Sequence, residues 1–242
     1  MKFVALVSGG KDSIYTIQTL KDQGHVPVGL LYMKNEDTYV DSYMYQTVGS
    51  EIVELFETCL NLPLFQYKTK CKTNNKDLDY KISKDDEVED LYEALLDIKS
   101  KLNFEAVSSG AILSTYQKNR VLNVTKRLNL ESLSPLWQRN QRDLLEEMID
   151  RGVKGTIVKV ASSFLDRSWL GKDISQIFKE NVKLYDNYCG EGGEYETVVL
   201  DCKLFSHKIN YKEVEIMCHP DETFANGTVF YMKIKELSLE KK

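Results

Sequence analysis

The sequence predicts an α/β protein with a parallel sheet, followed by a smaller α+β half, and three observations predict it. Phe3 to Val7 is an unbroken apolar run, as expected of a strand buried on both faces. Ser8-Gly9-Gly10-Lys11-Asp12-Ser13 breaks that run, and Ile14, Ile17 and Leu20 follow at helical spacing up to Gly24. Val26 to Met33 is then apolar again. Strand, helix and strand in that order form a βαβ unit, which implies parallel pairing and a right-handed crossover.

The alternation continues along the chain. Val48 to Leu60 reads as a helix, and Leu62 to Tyr67 reads as a short strand opened by Pro63. Lys68 to Lys84 is polar, Lys-rich and without period, so it reads as a surface loop, and no role is assigned to it. Val88, Leu91, Tyr92, Leu95 and Leu96 mark an amphipathic helix, and Phe104 to Ser108 reads as a strand. Ser114 and Gln117 make a capping box for a helix with Val121, Val124 and Leu128 inward. Leu133 to Trp137 is expected to be a fifth strand. Beyond it come a helix from Asn140 to Arg151, a strand from Thr156 to Val160 and a helix from Asp173 to Tyr188. Thr197–Asp201, Lys208–Cys218 and Thr228–Lys235 are strand-like. The change of pattern sets an expected boundary near residue 137, giving domains 1–137 and 138–242.

Bulk properties narrow the function. The chain has 242 residues, with 32 Lys and Arg against 37 Asp and Glu, a formal charge of −5. A nucleic-acid binder needs a basic face, so direct nucleic-acid binding is not expected. No apolar run approaches the ~18 residues of a spanning helix. With no signal peptide read at the N-terminus, a cytoplasmic location without membrane attachment is expected, and the Asn-x-Thr triplets at Asn123 and Asn226 are read as chance matches. The five cysteines (59, 71, 189, 202 and 218) form no Cys-x-x-Cys pair and are read as free, buried thiols rather than metal ligands or catalysts.

The hexapeptide at 8–13 carries the most chemistry. Glycines let backbone N–H groups turn toward an anion and let the anion come close. A helix N-terminus adds partial positive charge and unpaired donors. Lys11 supplies a full charge, and Ser8 and Ser13 supply hydroxyls. The loop is not a Walker A sequence, because Asp12 separates Lys11 from Ser13. Asp12 is either a magnesium contact or a first-turn acid favoured by the helix dipole. Ser109-Gly110-Ala111 follows a predicted strand, at the edge where open α/β sheets bind ligands. Arg120, just beyond, is a candidate phosphate clamp, with a solvated helix face as the alternative. Gly190-Glu191-Gly192-Gly193-Glu194-Tyr195-Glu196-Thr197 holds three carboxylates on a glycine-rich loop that could approach a cation or a metal, although spacing alone favours an acidic turn before a strand.

Ser-Gly-Gly-Lys-Asp-Ser resembles the PP-loop of the ATP pyrophosphatases, which implies a Rossmann-like sheet of the adenine nucleotide alpha hydrolase type that grips the β- and γ-phosphates of ATP. With Ser42-Tyr43-Met44-Tyr45-Gln46-Thr47, Glu87 to Tyr92, Gly110 to Ser114 with Tyr116-Gln117, Leu136 to Asn140, Gly190 to Thr197 and Leu200-Asp201-Cys202, the chain resembles the diphthine–ammonia ligase family over about residues 1–210. The resemblance implies amidation of diphthine on elongation factor 2 with ammonium, using ATP and Mg2+, through an acyl-adenylate, with release of AMP and pyrophosphate. It places Ser8, Gly9, Gly10, Lys11, Asp12, Ser13, Ser109, Gly110, Ala111 and Arg120 at the nucleotide, with Asp12 as metal contact. Lys11, Ser13, Glu191 and Glu194 are the expected catalytic residues. Tyr45, Trp137, Gly192, Gly193, Tyr195 and Glu196 are the expected substrate contacts. Glu191, Glu194, Tyr195 and Trp137 are the candidates to receive the quaternary ammonium of diphthine, the two glutamates alternatively positioning ammonium and Trp137 alternatively being a core or interdomain aromatic. Lys at position 2, and the lack of room for a glutaminase domain, favour free ammonium as nitrogen source. The competing readings are a transfer-RNA-modifying PP-loop enzyme, disfavoured by acidity and unpaired cysteines, and a non-catalytic ATP-binding module.

Overall fold

The computed structural model describes residues 1–35, 44–69, 72–220, 222–223 and 227–242. The readings that fall on Ser42, Tyr43, Cys71 and Asn226 lie outside these residues. In chain order the elements are β1 (Lys2–Leu6), α1 (Lys11–Asp22), β2 (Val26–Asn35), α2 (Phe56–Leu60), β3 (Leu64–Thr69), α3 (Glu87–Lys101), β4 (Ala106–Ser108), α4 (Thr115–Arg127), β5 (Glu131–Leu133), α5 (Gln141–Asp150), β6 (Lys154–Val160), α6 (Gln176–Lys179), β7 (Tyr195–Asp201), β8 (His207–Cys218) and β9 (Phe230–Lys241). The chain forms two compact units. One comprises Met1–Ser8, Asp12–Thr47 and Asn61–Trp137, and the other comprises Gly9–Lys11, Val48–Leu60 and Gln138–Lys242.

The first unit is a five-stranded parallel sheet in the order β3-β2-β1-β4-β5. Phe3, Val4 and Ala5 are fully buried, which suits the central strand of a sheet covered on both faces. The strand order reverses between β1 and β4, whose ends pair Ala5 with Ser108. That reversal is the crevice where open α/β sheets place ligands. The loop at 8–13 leaves β1 there, and Ser109-Gly110-Ala111 leaves β4. The expected cap at Ser114 forms, its side chain accepting from Gln117 N at 3.3 Å, and the structure adds a cap on α3, where Asp86 accepts from Val88 N. Val88, Leu91, Leu95 and Ile98 of α3 share one apolar cluster with Val121 and Val124 of α4.

The second unit holds an antiparallel sheet in the order β7-β6-β9-β8. Asn140 caps α5 by accepting from Arg142 N and Asp143 N. Among the described residues, no helix is long and apolar enough to cross a membrane.

Three expectations are corrected. Val48–Leu60 is not one helix: a 3-10 turn spans Ser50–Leu55 and α2 begins only at Phe56, because Gly49 enters in a left-handed conformation at φ 78°. The fifth strand is Glu131–Leu133 rather than 133–137; Pro135 has no N–H for a ladder, and Trp137 N instead donates to Ser134 O at 3.1 Å. Asp173–Tyr188 is helical only at Gln176–Lys179, since Asn181 (φ 50°) and Tyr185 (φ 51°) are left-handed and stop propagation. The polar stretch before α3 is a loop, as expected, with no helix or strand among residues 72–84; Asp86 Oδ2 accepts from Asn74 N and Asn75 N, and Glu87 N donates to Lys72 O.

Candidate functional site

β1 hands the chain to Gly9, whose φ of 96° only glycine adopts without strain. Ser8 N donates to Ser13 Oγ at 3.4 Å, and Ser8 Oγ donates to Gln46 Oε1 at 3.4 Å. The turn thus closes onto the first turn of α1. Gly110 packs against that same turn. A Cβ at Gly110 would lie 3.0 Å from Asp12 C and from Ser13 N, and both are backbone atoms that cannot step aside. Ser109 is 7 % exposed, and its hydroxyl is 3.0 Å from Ser134 Oγ; Ala111 is buried beside it. The structure therefore brings Ser109, Gly110 and Ala111 to the start of α1, where the nucleotide reading expected them.

The middle of the loop is pinned to β7. Val199 N donates to Gly9 O at 2.9 Å, and Lys11 N donates to Thr197 Oγ1 at 3.1 Å. Lys11 is 3 % exposed; its Nζ donates to Cys189 O and stands 5.1 Å from the centroid of the Tyr195 ring. An ammonium buried to this degree keeps its charge close to any anion at the loop in a medium of reduced dielectric.

The acidic segment is built as a rigid turn. Gly190 (φ 80°) and Gly193 (φ 85°) are both left-handed, and a Cβ on Gly190 would come within 2.7 Å of Tyr195 O. Glu194 Oε2 accepts from Gly192 N at 3.0 Å, while Oε1 accepts from Asn187 Nδ2 at 2.7 Å. Asn187 Oδ1 accepts in turn from Gln141 Nε2, and Gln141 Oε1 accepts from Cys189 N at 2.9 Å. Tyr195 OH donates to Tyr188 O. Glu196 is ion-paired with Lys159 at 3.0 Å.

Some sequence-predicted site residues fall elsewhere. Arg120 is not a phosphate clamp in this structure. It is fully buried, its guanidinium donates to Asn75 O and Leu78 O, and it lies 3.6 Å from the centroid of Tyr116. Its planar fork holds the 75–78 backbone instead. Trp137 has one face taken by Lys118 Nζ, 4.1 Å from the ring. Tyr45 OH reaches Glu87 O at 3.4 Å, and its ring packs on the first unit's core. Thr197, Gln141 and Cys189 were given no role by sequence reasoning. A threonine in a strand, a glutamine in a first helical turn and a lone cysteine carry no local signal; each matters through a partner far away in sequence.

Cys59, Cys189 and Cys202 are free, buried thiols as expected, whereas Cys218 is half-buried. Burial pushes Cys59 and Cys202 up to about 11, helped by the neighbouring acid Asp201. A thiol needs its thiolate form to react. Both are therefore expected to resist iodoacetamide at pH 8 in the folded chain and to label once the chain is unfolded in urea. Peptide mass mapping checks this, and rapid native labelling of either cysteine would contradict it.

Among the described residues no group of three or more His, Cys, Asp or Glu side chains could hold a metal. The loop's donors are instead cationic and hydroxylic, suited to phosphate. A 3-2-1-4-5 parallel sheet carrying this glycine-lysine-serine loop at its switch point is a nucleotide-binding α/β protein of the PP-loop type, a class that uses ATP. Comparison with known proteins carries the assignment further. The Diphthamide synthase N-terminal domain family matches residues 1–132, and the Diphthamide synthase C-terminal domain family matches residues 140–235. The proteins named Diphthine--ammonia ligase from Bos taurus and Homo sapiens are each 44% identical over 252 residues, covering 100% of this chain and 94% of theirs. The Schizosaccharomyces pombe protein of that name is 42% identical over 97% of this chain, which spans 39% of its length. The chain belongs to the diphthine–ammonia ligase family, and it is a ligase. A solved structure described as a predicted subunit of tRNA methyltransferase from Methanocaldococcus jannaschii aligns at 15% identity, with a TM-score of 0.39 over 84% of this chain and 98% of that one. That likeness bears on neither fold nor function.

Proposed function

We propose that the protein amidates diphthine on elongation factor 2 in the cytoplasm, with ATP and ammonium as co-substrates and AMP and pyrophosphate as products. The observation that carries this reading is the intact Ser8–Ser13 loop, with Lys11 buried and both Gly9 and Lys11 tied to β7. In the proposed reaction an oxygen of the diphthine carboxylate attacks the α-phosphorus. The bond to the bridging oxygen breaks and pyrophosphate leaves, giving an acyl-adenylate. Ammonia, formed when ammonium gives up a proton, then attacks the acyl carbon and AMP leaves. No enzyme nucleophile takes part. The chain's work is alignment and charge compensation.

In this reading the N–H groups of Gly9 and Gly10, the Ser8 and Ser13 hydroxyls and the Lys11 ammonium receive the β- and γ-phosphates. Ser109, Gly110 and Ala111 line the nucleotide beside them. Mg2+ usually binds through one or two carboxylates plus substrate phosphates, which fits a single acid on the loop. Asp12 would hold the ion, which would offset charge on the phosphate oxygens. Tyr195, Gly192 and Gly193 shape the second-substrate end, with Glu196 held by Lys159. Glu191 positions the ammonium. Glu194 acts through the loop, because both of its oxygens already accept from Asn187 and Gly192.

Elongation factor 2 carrying diphthine, incubated with the protein, ATP, Mg2+ and ammonium, is expected to exchange carboxyl for carboxamide mass on the modified histidine. Unchanged mass with folded protein would refute the reading. Glu191→Gln is expected to raise the KM for ammonium, leaving the KM for ATP alone. Glu194→Gln turns an amide N–H₂ against existing donors, and is expected to lower turnover about tenfold by loosening the loop, the size of one lost hydrogen bond to a charged group. Full turnover by both variants would remove the acidic loop from the mechanism.

A further inference from the structure

We propose that Phe164 and Tyr185 form the platform that receives the quaternary ammonium group of the protein substrate, a site that rests on the reading above for the identity of its cation. Both rings are open to solvent, at 47 % and 72 % exposure, more than the other exposed apolar side chains of the second unit, Val214 and Ile216. They stand edge to face, with centroids 5.6 Å apart and planes at 65°. Tyr185 adopts φ 51°, a left-handed conformation that a bulky residue takes only at a cost. The fold holds an aromatic ring outward at a strained position, which core packing does not explain.

The pair flanks the acidic turn. Ala161, three residues before Phe164, donates its N–H to Glu194 O at 2.9 Å. Asn187, two residues after Tyr185, donates to Glu194 Oε1 at 2.7 Å. The exposed acid Asp186 lies between Tyr185 and Asn187 in sequence. The platform therefore lies on the two segments that brace Glu194. A quaternary ammonium has no N–H, so carboxylates cannot hold it by hydrogen bonds; aromatic faces can.

Other aromatic groups are already engaged. Lys118 covers Trp137 at 4.1 Å, Lys172 covers Trp169 at 4.1 Å, and Arg142 stands 5.5 Å and 6.0 Å from the Tyr188 and Phe178 rings. Among the described residues no lysine or arginine sits over Phe164 or Tyr185. The pair thus offers faces that no cationic side chain covers, whereas Trp137 already has one face taken.

Two measurements test the assignment. Phe164→Leu keeps an apolar side chain without a π face, and Tyr185→Asn keeps a residue tolerant of left-handed backbone. Each is expected to raise the KM for the diphthine-bearing protein about tenfold, the size of one partly desolvated cation–π contact. The KM for ATP and the kcat stay within about twofold, and Tyr185→Phe keeps the parent KM. An unmoved KM in both variants overturns the assignment. Separately, the full chain with 13C-labelled aromatic rings is titrated with tetramethylammonium and with its neutral isostere tert-butanol. Shifts at Phe164 and Tyr185 with the cation alone support the platform; no shift, or equal shifts with both probes, overturns it. The titration needs no turnover, so it still decides the platform if the chain proves inactive on diphthine.

Discussion

Lys11→Ala is expected to cut pyrophosphate release by about 10³-fold, at the upper end of what removal of a single preorganised charged donor costs. The reason is geometric as much as electrostatic. Lys11 is 3 % exposed and held between Cys189 O and the face of Tyr195. Its position is fixed before any phosphate arrives, so little reorganisation is spent on binding. Removing it also leaves the Cys189 carbonyl without this donor, which costs about 1 kcal/mol of stability. That loss is too small to unfold the chain, and circular dichroism is expected to be unchanged. The measurement is single-turnover pyrophosphate release with saturating diphthine-bearing substrate. A Lys11→Ala variant that releases pyrophosphate within tenfold of the parent would remove the loop from the chemistry. Release of orthophosphate instead would show that the bond cut is not the one between the α- and β-phosphates.

Gly49→Ala is expected to destabilise the second unit by about 3 kcal/mol, combining a left-handed backbone penalty of ~1–2 kcal/mol with overpacking of similar size. Gly49 has φ 78°, and a Cβ there would sit 2.2 Å from Val198 Cγ1. Val198 is fully buried and lies on β7 between Thr197 and Val199, the two residues that hold Lys11 and Gly9. The clash is therefore expected to reach the nucleotide loop through β7, lowering ATP affinity along with stability. Urea unfolding at constant slope measures the first effect. The double variant Gly49→Ala with Val198→Ala is expected to lose the part due to this contact, so the two changes are non-additive. Strict additivity would show that the backbone conformation alone, and not the contact, makes glycine necessary here.

What could be read without coordinates was local. The buried strand Phe3–Val7, the helix starting at the loop and the Ser114 cap all arise from interactions within a few residues of one another. So does the PP-loop itself, because a strand end, two glycines and a helix N-terminus make an anion cradle whatever surrounds them.

Elements whose state depends on distant partners were misread. The periodicity of 173–188 favours a helix, but Ile174 N is drawn to Gly155 O and two left-handed residues break the run. Arg120 looks like a solvent-facing cation on an amphipathic helix, yet the 75–78 backbone and Tyr116 enclose it. Trp137 offers a face in sequence that Lys118 occupies in space. Sequence alone determined that this chain builds a phosphate-binding loop on a parallel sheet. Only the tertiary structure decided which strand braces that loop, which glutamate is committed to its own turn and which aromatic rings stay open. Those outcomes turn on contacts between residues far apart in sequence, such as Lys11 and Thr197, 186 positions apart, and no local pattern encodes them.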